Sequence, residues 1–326
     1  MTERIVLAGG SGFVGRYLEA RYRERGADVT LIGRRSEVTW DQPDAIARAV
    51  DGASLLVNLA GRSVDSRYDA AHRAEILESR VATTEALAAA VAQAASPPPL
   101  WVNSSTATIY RHAMDRPMTE STGELGEGFS VAIAKAWEEA LFERELPATR
   151  RVALRMAIVL GNGSVLERLV QLAKWGLGGP QWDTPWFPSR ARRAVGTQHE
   201  YGAPWGRQKF SWIDVEDVHE IIEFLGTHPE LDGAVNASSP HPSDNRTLMR
   251  TLRRALRIPF GVPVPRPALE IGAAILGTET ELILKSRWVV PERLLDAGYR
   301  FRHPDLEESI RTNLPAITGK TVASRR

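Results

Sequence analysis

The chain has 326 residues, of which 43% are hydrophobic and 25% charged, as in a globular protein with a substantial core. Its formal net charge of +1 gives no overall attraction to nucleic acid or an anionic membrane, and the absence of cysteine excludes disulfides and thiolate chemistry. Because no apolar run reaches the roughly 18 residues of a membrane span and a first strand at residue 4 or 5 leaves no room for a signal peptide, we expect a cytoplasmic protein.

An apolar strand at residues 5–8 breaks into a glycine-rich turn that leads directly into a helical pattern. Gly9 permits a tight turn, Gly12 lets the backbone approach a pyrophosphate, and Gly15 lets helix and strand pack closely. The helix N-terminus offers free N–H groups to an anion. The predicted dinucleotide contacts here are Gly9, Ser11, Gly12, Phe13, Val14 and Gly15.

A second strand at residues 28–32 ends before Arg34 and Arg35. At this position of a dinucleotide site an acid binds the ribose 2′-hydroxyl, whereas arginine accommodates a 2′-phosphate. The two arginines therefore favour NADP(H) as the cofactor. The alternative is that they are solvated surface residues.

Strands and helices then alternate. An apolar strand at 54–59 is followed by a helix at 69–95, a strand at 100–104, a helix at 129–145 and a strand at 151–156. This alternation predicts an α/β fold with a Rossmann-type, doubly wound parallel sheet, whose ligands lie at the carboxyl ends of the strands.

The regular pattern loosens after residue 161. We predict an NADP(H)-binding domain of residues 1–160, which also uses parts of 210–237, and a smaller α+β substrate lobe of residues 161–326. The lobe contains an irregular insert at 181–209 and a basic helix at 246–257. Its other predicted elements are helices at 164–175, 215–225, 267–276, 291–297 and 305–312 and strands at 210–213 and 233–237.

A cluster of hydroxyl side chains at residues 104–110 follows the fourth strand. Such a cluster at a carboxyl end can hold a substrate carbonyl or hydroxyl by hydrogen bonds, or it can simply form a turn. The segment resembles the Ser-Ser-Ser/Thr-Ala-Thr-Val-Tyr motif of the extended short-chain dehydrogenase/reductase superfamily. The resemblance implies that Thr106 and Ser104 are catalytic and that Thr108 and Tyr110 face the substrate.

The same superfamily carries a Tyr-x-x-x-Lys pair 25 and 29 residues after the catalytic Ser/Thr. Counted from Thr106, the lysine is present as Lys135, but position 131 is Val131. The resemblance thus implies that Lys135 binds the nicotinamide ribose and that the usual catalytic tyrosine is missing. We expect Lys135, or water held by it, to deliver the proton, and its pKa to be lowered by the nicotinamide cation.

Nearly the whole chain is similar to a narrower branch, the epimerase-family or nucleoside-diphosphate-sugar-epimerase-like proteins, which generally lack the tyrosine and carry a C-terminal domain of unknown function. The shared marks include the segments 58–61, 79–80, 83–84, 136–138, 154–161, 176–180, 211–213, 291–295, 298–301 and 304–308. The branch implies NADP(H) binding, with further contacts from Leu59, Ala60, Gly61, Arg80, Lys135, Ala157 and Val159. Two departures are the long insert 181–209 and Arg111-His112, which replaces the expected glycine after Tyr110.

The insert region is rich in tryptophan and arginine. Aromatic faces beside guanidinium groups suit an apolar or aromatic ligand, so we expect Trp182 and Trp212 to contact the substrate and the insert to act as a lid. A mobile surface loop or a homodimer contact are the alternatives. The histidines lack metal-ligand spacing, and we predict no metal site.

These observations favour an NADP(H)-dependent oxidoreductase that acts on a small carbonyl or alcohol. A non-catalytic NADP(H)-binding sensor or scaffold is the alternative from another class. A sugar-nucleotide-type epimerase is less favoured, because that chemistry relies on the absent tyrosine as its base.

Overall fold

The computed structural model describes residues 2–63, 69–200, 202–276 and 280–319. The chain forms two compact units. The first comprises Met1–Ile109, Ser130–Arg155 and His219–Val235, and the second comprises Tyr110–Phe129, Met156–Val218 and Asn236–Arg326.

The strands and helices are numbered in chain order. The strands are β1 (Arg4–Ala8), β2 (Asp28–Ile32), β3 (Leu55–Asn58), β4 (Leu100–Thr106), β5 (Arg150–Met156), β6 (Ile158–Leu160), β7 (Gln181–Trp182), β8 (Lys209–Phe210), β9 (Trp212–Asp214), β10 (Gly233–Ala237), β11 (Ser243–Asp244) and β12 (Val264–Pro265). The helices are α1 (Phe13–Glu24), α2 (Pro43–Val50), α3 (Ala70–Gln93), α4 (Phe129–Phe142), α5 (Val165–Leu172), α6 (Arg190–Ala194), α7 (Val215–Thr227), α8 (Asn245–Leu256), α9 (Arg266–Leu276), α10 (Glu281–Leu284), α11 (Glu292–Asp296) and α12 (Leu306–Thr318). Short turns of 3₁₀ or π helix cover Ala107–Ile109, Ala173–Leu177 and Pro204–Gly206.

A six-stranded sheet in the order β10-β5-β4-β3-β1-β2 forms the framework of the first unit. In the parallel register, Val6 of β1 lies between Thr30 of β2 and Leu56 of β3. Most apolar residues of these strands are buried, together with Leu87 of α3 and Leu141 of α4. The sheet and the helices that alternate with its strands confirm the predicted Rossmann-type α/β fold.

Helix α2 is an element that the sequence analysis did not predict. Pro43 occupies its first turn, where the missing N–H costs nothing, and Ile46 and Val50 enter the core. Its eight residues are too few for the helical period to stand out in the sequence.

The second unit combines helices with three two-stranded sheets, β6 with β9, β7 with β12, and β8 with β11. Its core contains Leu166 of α5, Trp212 of β9, Met249 of α8 and Ile310 of α12. The insert predicted to be irregular contains β7 and α6, and Ser189 caps the latter by accepting the Arg192 N–H. In the described part of the chain, no helix is long and apolar enough to cross a membrane.

Candidate functional site

The turn between β1 and α1 is shaped by three glycines. Gly9 has φ +78°, and a Cβ there would lie 2.6 Å from the Ala60 nitrogen. A Cβ on Gly15 would lie 2.6 Å from the Cα of Gly10, whereas one on Gly12 would meet only the Gly9 carbonyl, at 3.7 Å. The backbone at Gly12 is therefore accessible, and the neighbouring glycines permit the close packing around it.

Helix α1 presents its positive end at this turn. Gly12 is the N-cap and provides no side-chain cap, and the first turn contains no acidic residue. Ser11 and Gly12 are exposed, and Phe13 and Val14 are half-buried. Uncapped N–H groups at an accessible helix N-terminus suit a phosphate.

The turn after β2 carries Arg34 and Arg35, both exposed. The Gly33 N–H fixes this turn by donating to the Val38 carbonyl at 2.9 Å, a typical distance for a backbone hydrogen bond. Neither arginine makes an ion pair with a described residue, so both guanidinium groups are available to an anionic ligand.

A buried polar network lies below the carboxyl ends of β3 and β4. Asn58 Nδ2 donates to Asn103 Oδ1 (2.7 Å) and to Thr84 Oγ1 (3.1 Å), and Asn58 Oδ1 accepts the Ala60 N–H at 3.0 Å. The Trp137 indole N–H donates to the same Thr84 hydroxyl at 3.1 Å. The network therefore holds the turn at Ala60 beside the glycine turn between β1 and α1.

Arg80 lies between this turn and α4. Its guanidinium carbon is 4.9 Å from the Trp137 ring centre and would be 3.0 Å from a Cβ on Gly61, and its Nη1 donates to the Ile76 carbonyl at 2.9 Å. Leu59 is half-buried and Gly61 exposed. Arg80 thus packs its guanidinium group between the turn at residues 59–61 and the Trp137 ring.

The predicted hydroxyl cluster begins within the last residues of β4, and it divides into groups with structural roles and groups that are available to a ligand. Ser105 Oγ donates to Glu138 Oε1 at 2.6 Å, and Ser104 is buried. Thr106 is half-buried, and its Oγ1 accepts the Thr108 N–H at 3.1 Å. Since a hydroxyl that accepts one bond still carries its own hydrogen, Thr106 retains a donor for a ligand oxygen.

Glu138 also accepts from Arg155, whose Nε is 2.8 Å from Oε1 and whose Nη2 is 2.7 Å from Oε2. The two side chains are only 12% and 10% exposed. This bidentate pair joins α4 to β5, and the bond from Ser105 joins α4 to β4. Helix α4 is therefore fixed against the sheet three residues after Lys135.

Within α4, Val131 is 1% exposed and Lys135 is exposed. The four-residue spacing places both on one side of the helix. Val131 has no proton to transfer. Tyr110 does not replace the missing phenol, because its own hydroxyl is buried and donates to Asn236 Oδ1 at 3.0 Å.

The remaining predicted contacts lie in the second unit. Ala157 is buried and donates its N–H to the Ala237 carbonyl, while Val159 pairs with Ile213. Trp212 is 0% exposed within the core, so its ring has no surface for a ligand, contrary to the expected substrate contact. Trp182 is half-buried and packs edge-on against Trp205 at 4.9 Å.

Asp183 organises the insert. The fully buried carboxylate accepts from His199 Nε2 (3.0 Å) and from the N–H groups of Gly202 (3.0 Å) and Ala203 (3.2 Å). Burial opposes its ionisation, but these bonds outweigh it and lower the pKa of Asp183. Arg266 Nη1 lies 3.6 Å from Asp183 Oδ1.

His112 belongs to one departure from the branch pattern, Arg111-His112, and lies beside the other, the insert 181–209. Its ring centre is 5.9 Å from that of His199 in the insert, and its Nδ1 accepts the Ser286 N–H at 3.1 Å, so the neutral ring carries its hydrogen on Nε2. Burial first, then the positive charges of His199, Lys285 and Arg287, lower the pKa of His112 to about 4, against the opposing effect of Asp183.

Lys285 is also buried, and burial together with Arg287 lowers the pKa of its ammonium to about 8. Across the described residues, no three His, Asp or Glu side chains converge as metal ligands.

The comparisons with known proteins agree with this architecture. Residues 5–237 match the NAD dependent epimerase/dehydratase family, and residues 264–312 match a domain of unknown function, DUF1731. The chain belongs to the NAD dependent epimerase/dehydratase family. The resemblance inferred from the sequence motifs is thereby confirmed.

Two relatives illustrate how far this family membership extends. The epimerase family protein SDR39U1 of Bos taurus is 31% identical over 94% of this chain and 98% of its own length. The epimerase family protein YfhF of Bacillus subtilis is 26% identical over 93% of this chain and 95% of its own.

Solved structures are similar over the same extent. Human SDR39U1 (isoform 2), crystallised with NADPH, superposes with a TM-score of 0.79 at 26% identity and covers 95% of this chain and 98% of its own. A nucleoside-diphosphate sugar epimerase from Corynebacterium glutamicum gives 0.70 at 24% identity and covers 96% of this chain and 58% of its own.

For this member of the NAD dependent epimerase/dehydratase family, the sequence analysis missed several residues that build the site. They are Asn58, Thr84, Asn103, Ser105, Trp137, Glu138 and Arg155. The signal was present, because most of them lie in or beside the segments that carried the family resemblance. Polar residues in otherwise apolar buried strands require partners, and pairing them would have indicated the network.

Proposed function

We propose that the protein is an NADP(H)-dependent oxidoreductase of the extended short-chain type, acting on a small carbonyl or alcohol. The observation that carries the proposal is the Thr106 hydroxyl, which accepts the Thr108 N–H and keeps its own hydrogen for a substrate oxygen. Thr106 would orient and polarise the carbonyl, and Lys135, directly or through water, would provide the proton that Val131 cannot. Bound NADP(H) supplies the hydride.

The residues of the first unit fit this cofactor. The accessible backbone at Gly12 and the uncapped start of α1 suit the pyrophosphate, and the exposed Arg34 and Arg35 suit a 2′-phosphate. The NADPH bound to human SDR39U1 supports the same choice.

The cofactor preference is tested by titration. We expect NADPH to bind more tightly than NADH, and Arg34→Ala/Arg35→Ala to weaken NADPH by about 10- to 100-fold, since a hydrogen bond to a charged group contributes about 1.5–3 kcal/mol. Affinity for NADH should change little, and Arg48→Ala, an exposed arginine of α2, is the control. Equal affinities of the unmodified protein for the two cofactors would contradict the assignment.

The reaction is tested by NADPH oxidation against a panel of small aldehydes and ketones. We expect slow turnover that Thr106→Val and Lys135→Met each lower by about 10²–10⁴, the usual contribution of acid–base and orienting groups. Thr227→Val, at an exposed threonine in the last turn of α7, is the matched control.

Val131 favours a second candidate, a non-catalytic NADP(H)-binding sensor or scaffold, because a buried apolar side chain stands where the family has its acid–base tyrosine. Tight NADPH binding without turnover of any carbonyl in the panel would favour this candidate and contradict the oxidoreductase.

A further inference from the structure

Helix α8 of the second unit has two contrasting sides. Leu248, Met249 and Leu252 are buried in the core. Arginines occupy the other side at positions that recur every three or four residues, and one more arginine follows at the C-cap, with φ +59°. The arginines are Arg246, Arg250, Arg253, Arg254 and Arg257.

No carboxylate of the described residues forms an ion pair with any of these five side chains. Arg246 and Arg253 instead donate to the carbonyls of Trp205 and Pro259. The segment 245–269 contains six arginines and no acidic residue, although the net charge of the whole chain is only +1. Positive charge is therefore concentrated on one side of α8.

Large apolar side chains are exposed beside the carboxyl end of the same helix. Trp175 is 75% exposed, Phe260 67%, Val262 54% and Leu177 39%. They lie on two neighbouring loops, since the Val262 N–H donates to the Gly176 carbonyl at 2.8 Å. A groove of about 440 Å³ separates them and is also lined by Lys174.

The charged and apolar groups form one continuous surface. Arg253 packs its methylene chain between the two loops, because Cβ atoms on Gly178 and Gly261 would lie 3.0 Å and 2.7 Å from Arg253 Cδ. We call this the α8 surface and define it by the five arginines, Lys174 and the four exposed apolar residues.

We propose that the α8 surface binds an anionic lipid bilayer. Trp175, Phe260, Val262 and Leu177 enter the boundary between headgroups and acyl chains, and the arginines and Lys174 contact lipid phosphates. Nucleic acid would neutralise the arginines but would leave aliphatic side chains such as Val262 in water. A bilayer that is anionic at its surface and apolar beneath matches both halves of the α8 surface.

This inference differs from the expectation drawn from net charge. A total of +1 says nothing about how the charges are distributed, and attraction to an anionic membrane decays within about one Debye length, roughly 10 Å. The local charge of the α8 surface therefore decides the interaction with the bilayer. Membrane binding by this surface does not depend on the proposed reaction.

The test is co-sedimentation of the full chain with vesicles of phosphatidylcholine alone, or of equal parts phosphatidylcholine and phosphatidylglycerol. We expect binding only to the mixed vesicles, weakened by salt. Arg250→Glu/Arg254→Glu should lower the partition coefficient at least about tenfold, given the contribution of each basic residue near such a surface. Arg48→Glu/Arg144→Glu changes the net charge equally at exposed arginines of the first unit and should bind like the unmodified protein.

The apolar half is tested separately with brominated lipids. Quenching of tryptophan fluorescence that disappears in Trp175→Phe would place this ring in the bilayer. The proposal would be overturned if the protein failed to bind the mixed vesicles, or if the two charge-reversal variants lost binding equally. It would also be overturned if light scattering showed a concentration-dependent dimer that is lost on Trp175→Ser/Phe260→Ser.

Discussion

Two buried polar networks differ in how completely they are satisfied. In the first unit, Asn58, Thr84 and Trp137 exchange hydrogen bonds that leave no buried nitrogen or oxygen of their side chains without a partner. In the insert of the second unit, Asp183 Oδ1 and Gln208 Oε1 lack hydrogen-bond partners among the described residues.

The two networks stabilise different parts of the structure. The first joins the ends of regular strands and helices, so breaking it disturbs the sheet itself. The second relies on loop backbone, such as the Gly202 and Ala203 N–H groups, and Trp205 adopts φ +62° within it. We therefore expect damage to the first network to be global and damage to the second to be local.

The largest expected effect follows from Glu138→Ala, which breaks the ion pair that fixes α4, the helix that carries Trp137 of the first network, to β5. Removing this carboxylate takes away the bidentate partner of the buried Arg155, and breaking a buried ion pair typically costs about 3–5 kcal/mol. Urea unfolding measures the loss, and Glu139→Ala, the exposed neighbour on α4, should stay within about 0.5 kcal/mol of the unmodified protein. If the two variants are equally stable, α4 is not held by this pair.

Asp183→Ala should have a smaller and more local effect. It leaves the N–H groups of the exposed Gly202 and the buried Ala203 without their acceptor, at about 1–3 kcal/mol for the buried group. We expect faster proteolysis within residues 181–209 and little change in the main urea transition. Asp115→Ala, which breaks an exposed ion pair with Arg111, is the control. Loss of the whole fold would show that the insert is not an independent local unit.

The same contrast explains what the sequence could predict. The glycine turn, the apolar runs of β1 and β3 and the long helix α3 are local patterns of period or composition, and the structure contains each of them. The α8 charge pattern was likewise visible as a basic helix.

The insert could not be predicted in this way, because its contacts join distant positions. Asp183 meets His199 after 16 residues, and the His199 carbonyl meets Arg266 after 67. A local sequence period does not reveal such pairs. The sequence did not indicate the burial of Trp212 for the same reason, because that burial depends on packing against α5, α8 and α12. The sequence marked His112 only as a residue that replaces the expected glycine of the branch. The structure was needed to identify the residues that it contacts.

Val131→Tyr tests the first unit with a more moderate change. Restoring the Tyr-x-x-x-Lys pair adds a phenol at a side chain that is 1% exposed, and overpacking typically costs about 1–3 kcal/mol. We expect a folded protein with a lower melting temperature, and Val131→Ile as control should lose less. A variant that does not fold would show that this position cannot admit the family tyrosine.

The last expected effect concerns His112, and it appears only as the pH falls. The folded-state pKa of about 4 lies below the ordinary value near 6.5. Between these values the unfolded chain binds more protons at this residue than the folded chain does. Its contribution to stability is therefore fully present above about pH 6.5 and is lost as the pH falls toward 4.

His112→Gln can still accept the Ser286 N–H but cannot titrate, so its stability should decline less over this range. Urea unfolding at a series of pH values measures the slope, and His241→Gln, at an exposed histidine, should keep the slope of the unmodified protein. Identical slopes in all three proteins would mean that His112 does not titrate differently in the two states.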